Sequence, residues 1–474
     1  MKQPNILMFF IDDLGARDLG CFGSTFYETP NLDRLAREGM LFNNAYATCP
    51  VSSPTRASLM SGKYPARVGI TQYIGGTCEA RLKDVPYLHY LPLEEKSIAS
   101  SLREGGYQTW HVGKWHLGDD DFFPEKHGFD VNIGGGHQGA PHKGGYFSPW
   151  FMNNLEEGPE GEYLTDRLTN DAIDLIRKRS DKPFYLNFSH YAVHTPIQAP
   201  AALVEKYKQK AKRLSLDVIE AIIPGKPNPR CPTDKWRIQR RIIQSDPTYA
   251  AMMENLDTNI GKVLTALEEE GLVDDTLVCF SADNGGLSTS EGSPTCNSPL
   301  AEGKGWNYEG GTRVCQIFRW PGVVEPKSVC NDIVQTCDFY PTFLEAAGLP
   351  LIPEQHVDGM SMMPLLKKEG NMERDAIYWH YPHYSNQGGQ PAASMRSGKW
   401  KLIEYFEAGD IELYDLELDV SEMTDLSEEF PELVKEMHAK LQAWQREVEA
   451  LIPEQNPEWL AKLKRPLVPN NAHV

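Results

Sequence analysis

The sequence predicts an α/β fold, with a sheet covered by helices on both faces, followed by a smaller α+β unit. Three observations carry this reading. Short continuous apolar runs recur through the first part of the chain, amphipathic helical stretches separate them, and beyond about Asp375 the pattern turns to short strand-like segments and one helix. Unbroken apolar runs read as strands buried on both faces, and their alternation with helices reads as βαβ units.

Taken in order, Asn5 to Ile11 is the first apolar run and ends in Asp12-Asp13. Thr29 to Glu38 follows with helical periodicity. Thr165 to Lys178 is a second helix, Pro183 to Ser189 a second strand, Thr248 to Glu270 a third helix and Thr276 to Ser281 a third strand. Ala201 to Asp246 is rich in Lys, Arg and Pro and loses its period after an initial helix, so it reads as a surface excursion. Ala376–Tyr381, Ala393–Arg396, Trp400–Tyr405 and Glu412–Asp415 read as short antiparallel strands, with a helix from about Pro431 to Glu449. The expected units are therefore 1–374 and 375–474, the second completing a pocket on the first.

The 474 residues are ample for a large core, and 41% hydrophobic with 24% charged residues is ordinary for a globular chain. A net charge of −19 argues against nucleic acid as a partner, because phosphate binding wants a basic face. No apolar run approaches the roughly 20 residues of a membrane span. The nine cysteines form no CxxC pair, which argues against a zinc ribbon or disulfide scaffold and leaves room for one or two disulfides.

Several polar groups sit where strand-like runs end: Asp12-Asp13, Asp283-Asn284, and His194 after the short Tyr191-Ala192-Val193 connection. In open α/β sheets ligands bind outside the carboxyl ends of strands. The carboxylates and the amide offer oxygen only, the preference of Ca²⁺ or Mg²⁺ rather than zinc. The alternative reading is a helix cap at Asp12 and an ordinary Asn-Gly turn at Asn284. In Trp110-His111-Val112-Gly113-Lys114-Trp115-His116, an extended strand would point Lys114 and His116 to one face. Lys304, between two glycines, can approach a ligand closely or be an ordinary loop lysine. His190 competes with His194, and the His-Thr-Pro step favours His194.

Ser52-Ser53-Pro54-Thr55-Arg56-Ala57-Ser58-Leu59-Met60-Ser61-Gly62 is the most specific stretch. Pro54 suits a first helical turn with Ser53 as N-cap, which would leave Ser52 just outside a helix N-terminus and Arg56 within its first turn. Cys49 is out of register with Pro54 and Arg56. This segment resembles the signature of the sulfatase family. Thr29-Pro30-Asn31-Leu32-Asp33-Arg34-Leu35, Gly311-Thr312-Arg313-Val314, Trp320-Pro321-Gly322 and Leu413-Tyr414-Asp415-Leu416 extend the resemblance from about Pro4 to Leu426.

The resemblance implies an alkaline-phosphatase-like fold, a large mixed sheet between helices with a smaller C-terminal antiparallel sheet and helix. It implies Asp12, Asp13, Asp283 and Asn284 as ligands of calcium, with magnesium as the other candidate. Ser52 becomes formylglycine by a maturation enzyme, with Arg56, Lys114, His116, His194 and Lys304 around it. Hydrated formylglycine attacks sulfur, His194 protonates the leaving alcohol, and a second hydroxyl then expels sulfate with His116 as base. The serine start resembles the bacterial class matured without oxygen, which implies a periplasmic or secreted protein whose signal peptide has been removed. The expected substrate is a sulfated carbohydrate with galactose or N-acetylgalactosamine-type units. His137, Gln138, His142, His380, His383 and Arg396 are candidates to bind it. A phosphate or phosphonate ester hydrolase of the same superfold and a non-catalytic glycan-binding relative are the competing readings.

Overall fold

The computed structural model describes residues 3–141, 143–231, 233 and 235–462. Eight strands form the large sheet: β1 (Asn5–Ile11), β2 (Met40–Phe42), β3 (Gln108–Gly113), β4 (Val131–Ile133), β5 (Phe184–Ser189), β6 (Thr276–Ala282), β7 (Gln316–Arg319) and β8 (Ser328–Cys330). Their spatial order is β8-β2-β7-β6-β1-β5-β3-β4. From β6 to β4 every neighbour is parallel, whereas β7 runs antiparallel to both β6 and β2. β1, β5 and β6 are buried along their whole length, as their unbroken apolar runs require.

The helices pack in two groups. In the first, α1 (Pro30–Glu38), α4 (Leu164–Lys178) and α5 (Ala201–Arg213) lie against α6 (Pro247–Glu269); in the second, α2 (Ser52–Ser61) and α3 (Ile98–Glu104) lie against α7 (Phe339–Ala346). Amphipathic faces drive this: Leu164, Leu168, Ala172 and Ile176 form the buried stripe of α4 at helical spacing. Asp246 caps α6, accepting from the N–H groups of Thr248 and Tyr249.

The C-terminal sheet is a four-stranded antiparallel meander of β9 (Ile377–Tyr381), β10 (Ala392–Ser397), β11 (Trp400–Tyr405) and β12 (Ile411–Asp415). The helix α8 (Pro431–Glu447) buries Met437, Leu441 and Trp444 against Ala393, Met395, Leu402 and Leu413 of this sheet.

Three expectations need correction. The excursion from Ala201 to Asp246 is not irregular throughout, since Ile222–Pro227 and Arg237–Arg241 pair as an antiparallel hairpin. Prolines, charge and half-exposed faces hide its period. The helix α2 begins at Ser52, not after it, and Ser53 caps nothing, because its hydroxyl accepts from the Ile74 N–H at 3.1 Å. Arg56 therefore sits on the second turn. Among the described residues no disulfide joins any of the nine cysteines.

Candidate active site

The parallel register decides which side chains meet. Ile11 pairs with Ala282, so the two strands deliver Asp12-Asp13 and Asp283-Asn284 side by side. The Asp13 N–H donates to Asp283 Oδ1 at 3.2 Å, and Asn284 Nδ2 donates to Asp13 Oδ1 at 2.9 Å. Gly285 then passes so close to Gly310 that an added Cβ would stand 1.8 Å from the Gly310 carbonyl oxygen. Next to β1, the end of β5 leads through Tyr191 to His194, and beyond it β3 leads to Lys114.

The strand β3 stops at Gly113, whose Cβ would meet the Ser189 carbonyl at 2.0 Å, so Lys114 and His116 do not share a strand face as the alternation suggested. They reach the same cavity by a tight loop in which the Lys114 N–H donates to Ser189 O and His116 adopts a φ of 56°. Trp115 turns into the core. The Lys304 loop is held from two sides: the Lys304 N–H donates to Gly286 O, and the Gly305 N–H donates to Pro50 O just before α2.

Around Ser52 the contacts are short and mostly charged. Ser52 Oγ lies 3.2 Å from Asp12 Oδ1, 3.4 Å from Asn284 Oδ1 and 3.1 Å from Lys114 Nζ. Lys114 Nζ also donates to Asp12 Oδ2 at 2.7 Å, and Lys304 Nζ to Asp13 Oδ2 at 2.8 Å. Arg56 donates from Nε and Nη2 to Asp283 Oδ2 at 2.9 and 2.7 Å, and from Nη1 to Ser189 Oγ and Lys114 O. Its guanidinium thus fixes α2 to the ends of three strands, and it does not line the cavity.

Three buried carboxylates this close repel one another. Burial and the neighbouring Asp283 push the Asp12 carboxyl well above its ordinary range, against the pull of Lys114. Burial would raise Asp13 and Asp283 as well, but Lys304, His194 and Lys114 together outweigh it at Asp13, and Arg56, Lys114 and Lys304 together at Asp283, so both are held below the usual range. A donor set of three carboxylates and an amide oxygen suits a hard divalent cation. His194 Nε2 stands 3.6 Å from Asp13 Oδ2, and ligand atoms of Asp12, Asp13 and His194 all lie within 4.8 Å of one another. An imidazole as well as oxygens is therefore within reach of one ion.

Both histidines are neutral in this environment. Burial, with the charge of Lys304, lowers His194 to about 3, and burial with Lys114 holds His116 well below its ordinary value. His194 Nδ1 faces the Thr195 carbonyl at 2.8 Å, leaving Nε2 toward the cavity side of Asp13.

Ser52, Lys114, His116, His194 and Lys304 line one cavity of about 440 Å³. His137 and Gln138 line it too, as the sequence suggested. His142 lies outside the described residues. The other three candidates are spent elsewhere. His380 is buried with Nε2 on the Leu451 carbonyl, His383 is held between Thr71 and Asp84, and Arg396 bonds Asn44 and the Tyr46 hydroxyl where the two sheets meet. None of them lines the cavity. Strand residues alternate between faces, and an alternating segment alone does not say which face is the pocket. His190 is buried and stacked on Phe188, consistent with the choice of His194. Burial pushes the Cys49 thiol up, so it is not a reactive thiolate. Sequence reasoning missed Tyr73, Glu291, Asn386 and Gln387, which complete the cavity wall from three separate loops. No periodicity marks them; the only local signals are turn-rich stretches, Gly75-Gly76 after Tyr73, Ser290-Glu291-Gly292-Ser293, and Gly388-Gly389 after Gln387.

A family model described as Sulfatase matches residues 4–349, and one described as N-sulphoglucosamine sulphohydrolase, C-terminal, matches residues 303–447. The chain is similar to a sulfatase of Formosa agariphila, at 32% identity over 94% of this chain and 89% of the relative. It is also similar to the N-acetylgalactosamine-6-sulfatase of Homo sapiens, at 30% identity over 80% of this chain and 68% of the relative. Among solved structures, Ps i-CgsB in complex with k-i-k-neocarrahexaose aligns with a TM-score of 0.74 at 29% identity, covering 98% of both chains. The chain belongs to the sulfatase family and is a sulfuric ester hydrolase.

Proposed function

We propose that the protein removes sulfate from a galactose- or N-acetylgalactosamine-type unit of a sulfated glycan. Its nucleophile is formylglycine made from Ser52, and Asp12, Asp13, Asp283 and Asn284 hold Ca²⁺, with Mg²⁺ as the alternative ion. The observation that carries this is the convergence of Ser52, two lysines and two neutral imidazoles on one cavity beside an oxygen-rich carboxylate cluster. The similar N-acetylgalactosamine-6-sulfatase and the relative solved with a neocarrahexaose support the sugar class.

Hydrated formylglycine would supply the attacking hydroxyl, and the cation positive charge beside it. Lys114, 3.1 Å from Ser52 Oγ, and Lys304 bind sulfate oxygens and neutralise charge that builds as sulfur is attacked. Arg56 does its work indirectly, by locking Asp283 and the start of α2. A sulfate ester seated beside His194 brings negative charge that raises the ring's proton affinity, so Nε2 carries the proton given to the leaving alcohol. His116, kept neutral by burial and Lys114, accepts the proton released when the second hydroxyl expels sulfate. Export to the periplasm or medium and maturation by a formylglycine-generating enzyme belong to the same proposal.

The test joins mass spectrometry of the Ser52 peptide with sulfate release from sulfated mono- and disaccharides, using protein co-expressed with a maturation enzyme. We expect loss of H₂ from Ser52 and activity that scales with the modified fraction. Equal activity of unmodified protein would overturn the nucleophile, and no release from any galactose or N-acetylgalactosamine sulfate would overturn the substrate.

A further inference from the structure

Beyond the sulfate-binding floor, the cavity wall has a distinct charge pattern. Among the described residues, Lys114 and Lys304 are the only Lys or Arg that line the cavity, and each donates to a carboxylate of the cation cluster. Glu291 is the one carboxylate among the described lining residues, beside neutral groups that include Tyr73, Gln138, Asn386 and Gln387. Glu291 lies near enough to Lys304 to raise the affinity of that ammonium for its proton, and near enough to Tyr73 to act on its hydroxyl.

The Glu291 side chain is also held in place. Its Oε2 accepts from Gln387 Nε2 at 3.0 Å, a bond from the small C-terminal unit. No donor among the described residues is recorded on its other oxygen. Its backbone has a φ of 47°, between Ser290 at 56° and Gly292 at 89°, with Ser293 at 42°. A run of left-handed residues that are mostly not glycine costs free energy and persists only where surrounding contacts impose it. Here the hairpin strand Arg237–Arg241 imposes it: the Ser290 N–H donates to Gln239 O at 2.8 Å, and Ser293 Oγ donates to the same carbonyl at 3.1 Å. The neighbouring wall is braced the same way, with Arg230 Nη1 donating to Asn386 Oδ1 and Asn386 Nδ2 donating to the Tyr73 hydroxyl.

We propose that Glu291 sets the charge specificity of the substrate. The sugar seated in the cavity carries the scissile sulfate and no second anionic group, its remaining positions being hydroxyl, acetamido or amine. This rests on the sulfate-ester reading above. A fixed carboxylate accepts hydroxyl, amide or ammonium donors. It repels a second sulfate or a uronate, while the two lysines that line the cavity are already engaged by Asp12 and Asp13.

The experiment compares kcat/KM for monosulfated galactose and N-acetylgalactosamine with their disulfated counterparts, in the matured enzyme and in its Glu291→Gln variant. Gln keeps the size and an acceptor for Gln387 while removing the charge. We expect the wild type to disfavour the disulfated sugars by about tenfold or more, and Glu291→Gln to raise the disulfated-to-monosulfated ratio by a similar factor. The wild-type discrimination should shrink as salt is added. A parallel arm uses aryl sulfates with neutral or carboxylate ring substituents and needs no sugar. If no sugar sulfate is cut but the aryl arm shows the charge effect, the carbohydrate reading fails and the role of Glu291 stands. An unchanged ratio in both arms, or a wild type indifferent to the second charge, overturns the proposal.

Discussion

At the carboxyl edge of the large sheet, Asp12, Asp13 and Asp283 face Arg56, Lys114 and Lys304. Where the two sheets meet, Glu309 and Glu422 share Lys401, at 3.0 and 2.8 Å, with Arg313, Arg396 and Tyr46 around them. Both groups are buried, charged and densely hydrogen-bonded, so burial of charge by itself does not mark an active site. What separates them is closure. Every charged group at Lys401 is answered by a protein partner, and none lines the substrate cavity. At the sheet edge the set opens on a cavity through Ser52, Lys114, His194 and Lys304. One cluster is a joint between the two sheets; the other opens on a cavity.

The comparison can be broken most sharply at Ser52. Ser52→Ala should abolish sulfate release, at least about 10³-fold in kcat, with an unchanged fold by circular dichroism. Activity that survives would mean that the open cluster does not act through position 52. Chelation comes next. Dialysis against a strong chelator should lower both aryl sulfate turnover and Tm, and calcium should restore both in a concentration-dependent way, because a ligand that binds only the folded state stabilises it. An unmoved Tm would remove the distinction drawn between the two clusters.

At the closed cluster the expected effects are on stability, not chemistry. Lys401→Met leaves two buried carboxylates without their shared cation and should cost about 3–5 kcal/mol in denaturant unfolding, while kcat per folded molecule is retained. The smallest effect is in pH. Burial, with the charge of Glu309 beside it, pushes Glu422 from an ordinary 4.5 up to about 8 against the pull of Lys401. A raised carboxyl favours the folded state fully below its unfolded pKa and loses that contribution as pH rises through the folded one. Stability from Glu422 should therefore decline between about pH 4.5 and pH 8. Glu309 is opposite in sign: Lys401 and Arg313 overcome its burial and hold it low, so its contribution is lost only as acid protonates it. Glu422→Gln should flatten the decline toward pH 8 in thermal melts, and a slope unchanged by that variant would contradict the assignment.

Much of this was legible in the chain. Continuous apolar runs named β1, β5 and β6, and polar residues just past their ends named the carboxylates, Asn284 and His194. The spacing of Ser52 to Pro54 and Arg56 chose Ser52 over Cys49, and the structure places that hydroxyl, not the thiol, beside Asp12 and Lys114. Local reasoning failed where a residue's role depends on what lies across from it. His380, His383 and Arg396 have suitable chemistry for a sugar but face Leu451, Asp84 and Tyr46.

The sequence by itself determined the buried strands β1, β5 and β6, the polar residues just past their ends, and the register of Ser52 against Pro54 and Arg56. Each follows from the order of residues along one strand or one helix turn, where geometry is local and repeats. Only the tertiary structure decided which loops wall the cavity. Tyr73, Glu291 and Asn386-Gln387 are far apart in the chain and meet through the hairpin and the C-terminal unit. Their meeting is fixed by long-range packing, which leaves no period in the sequence.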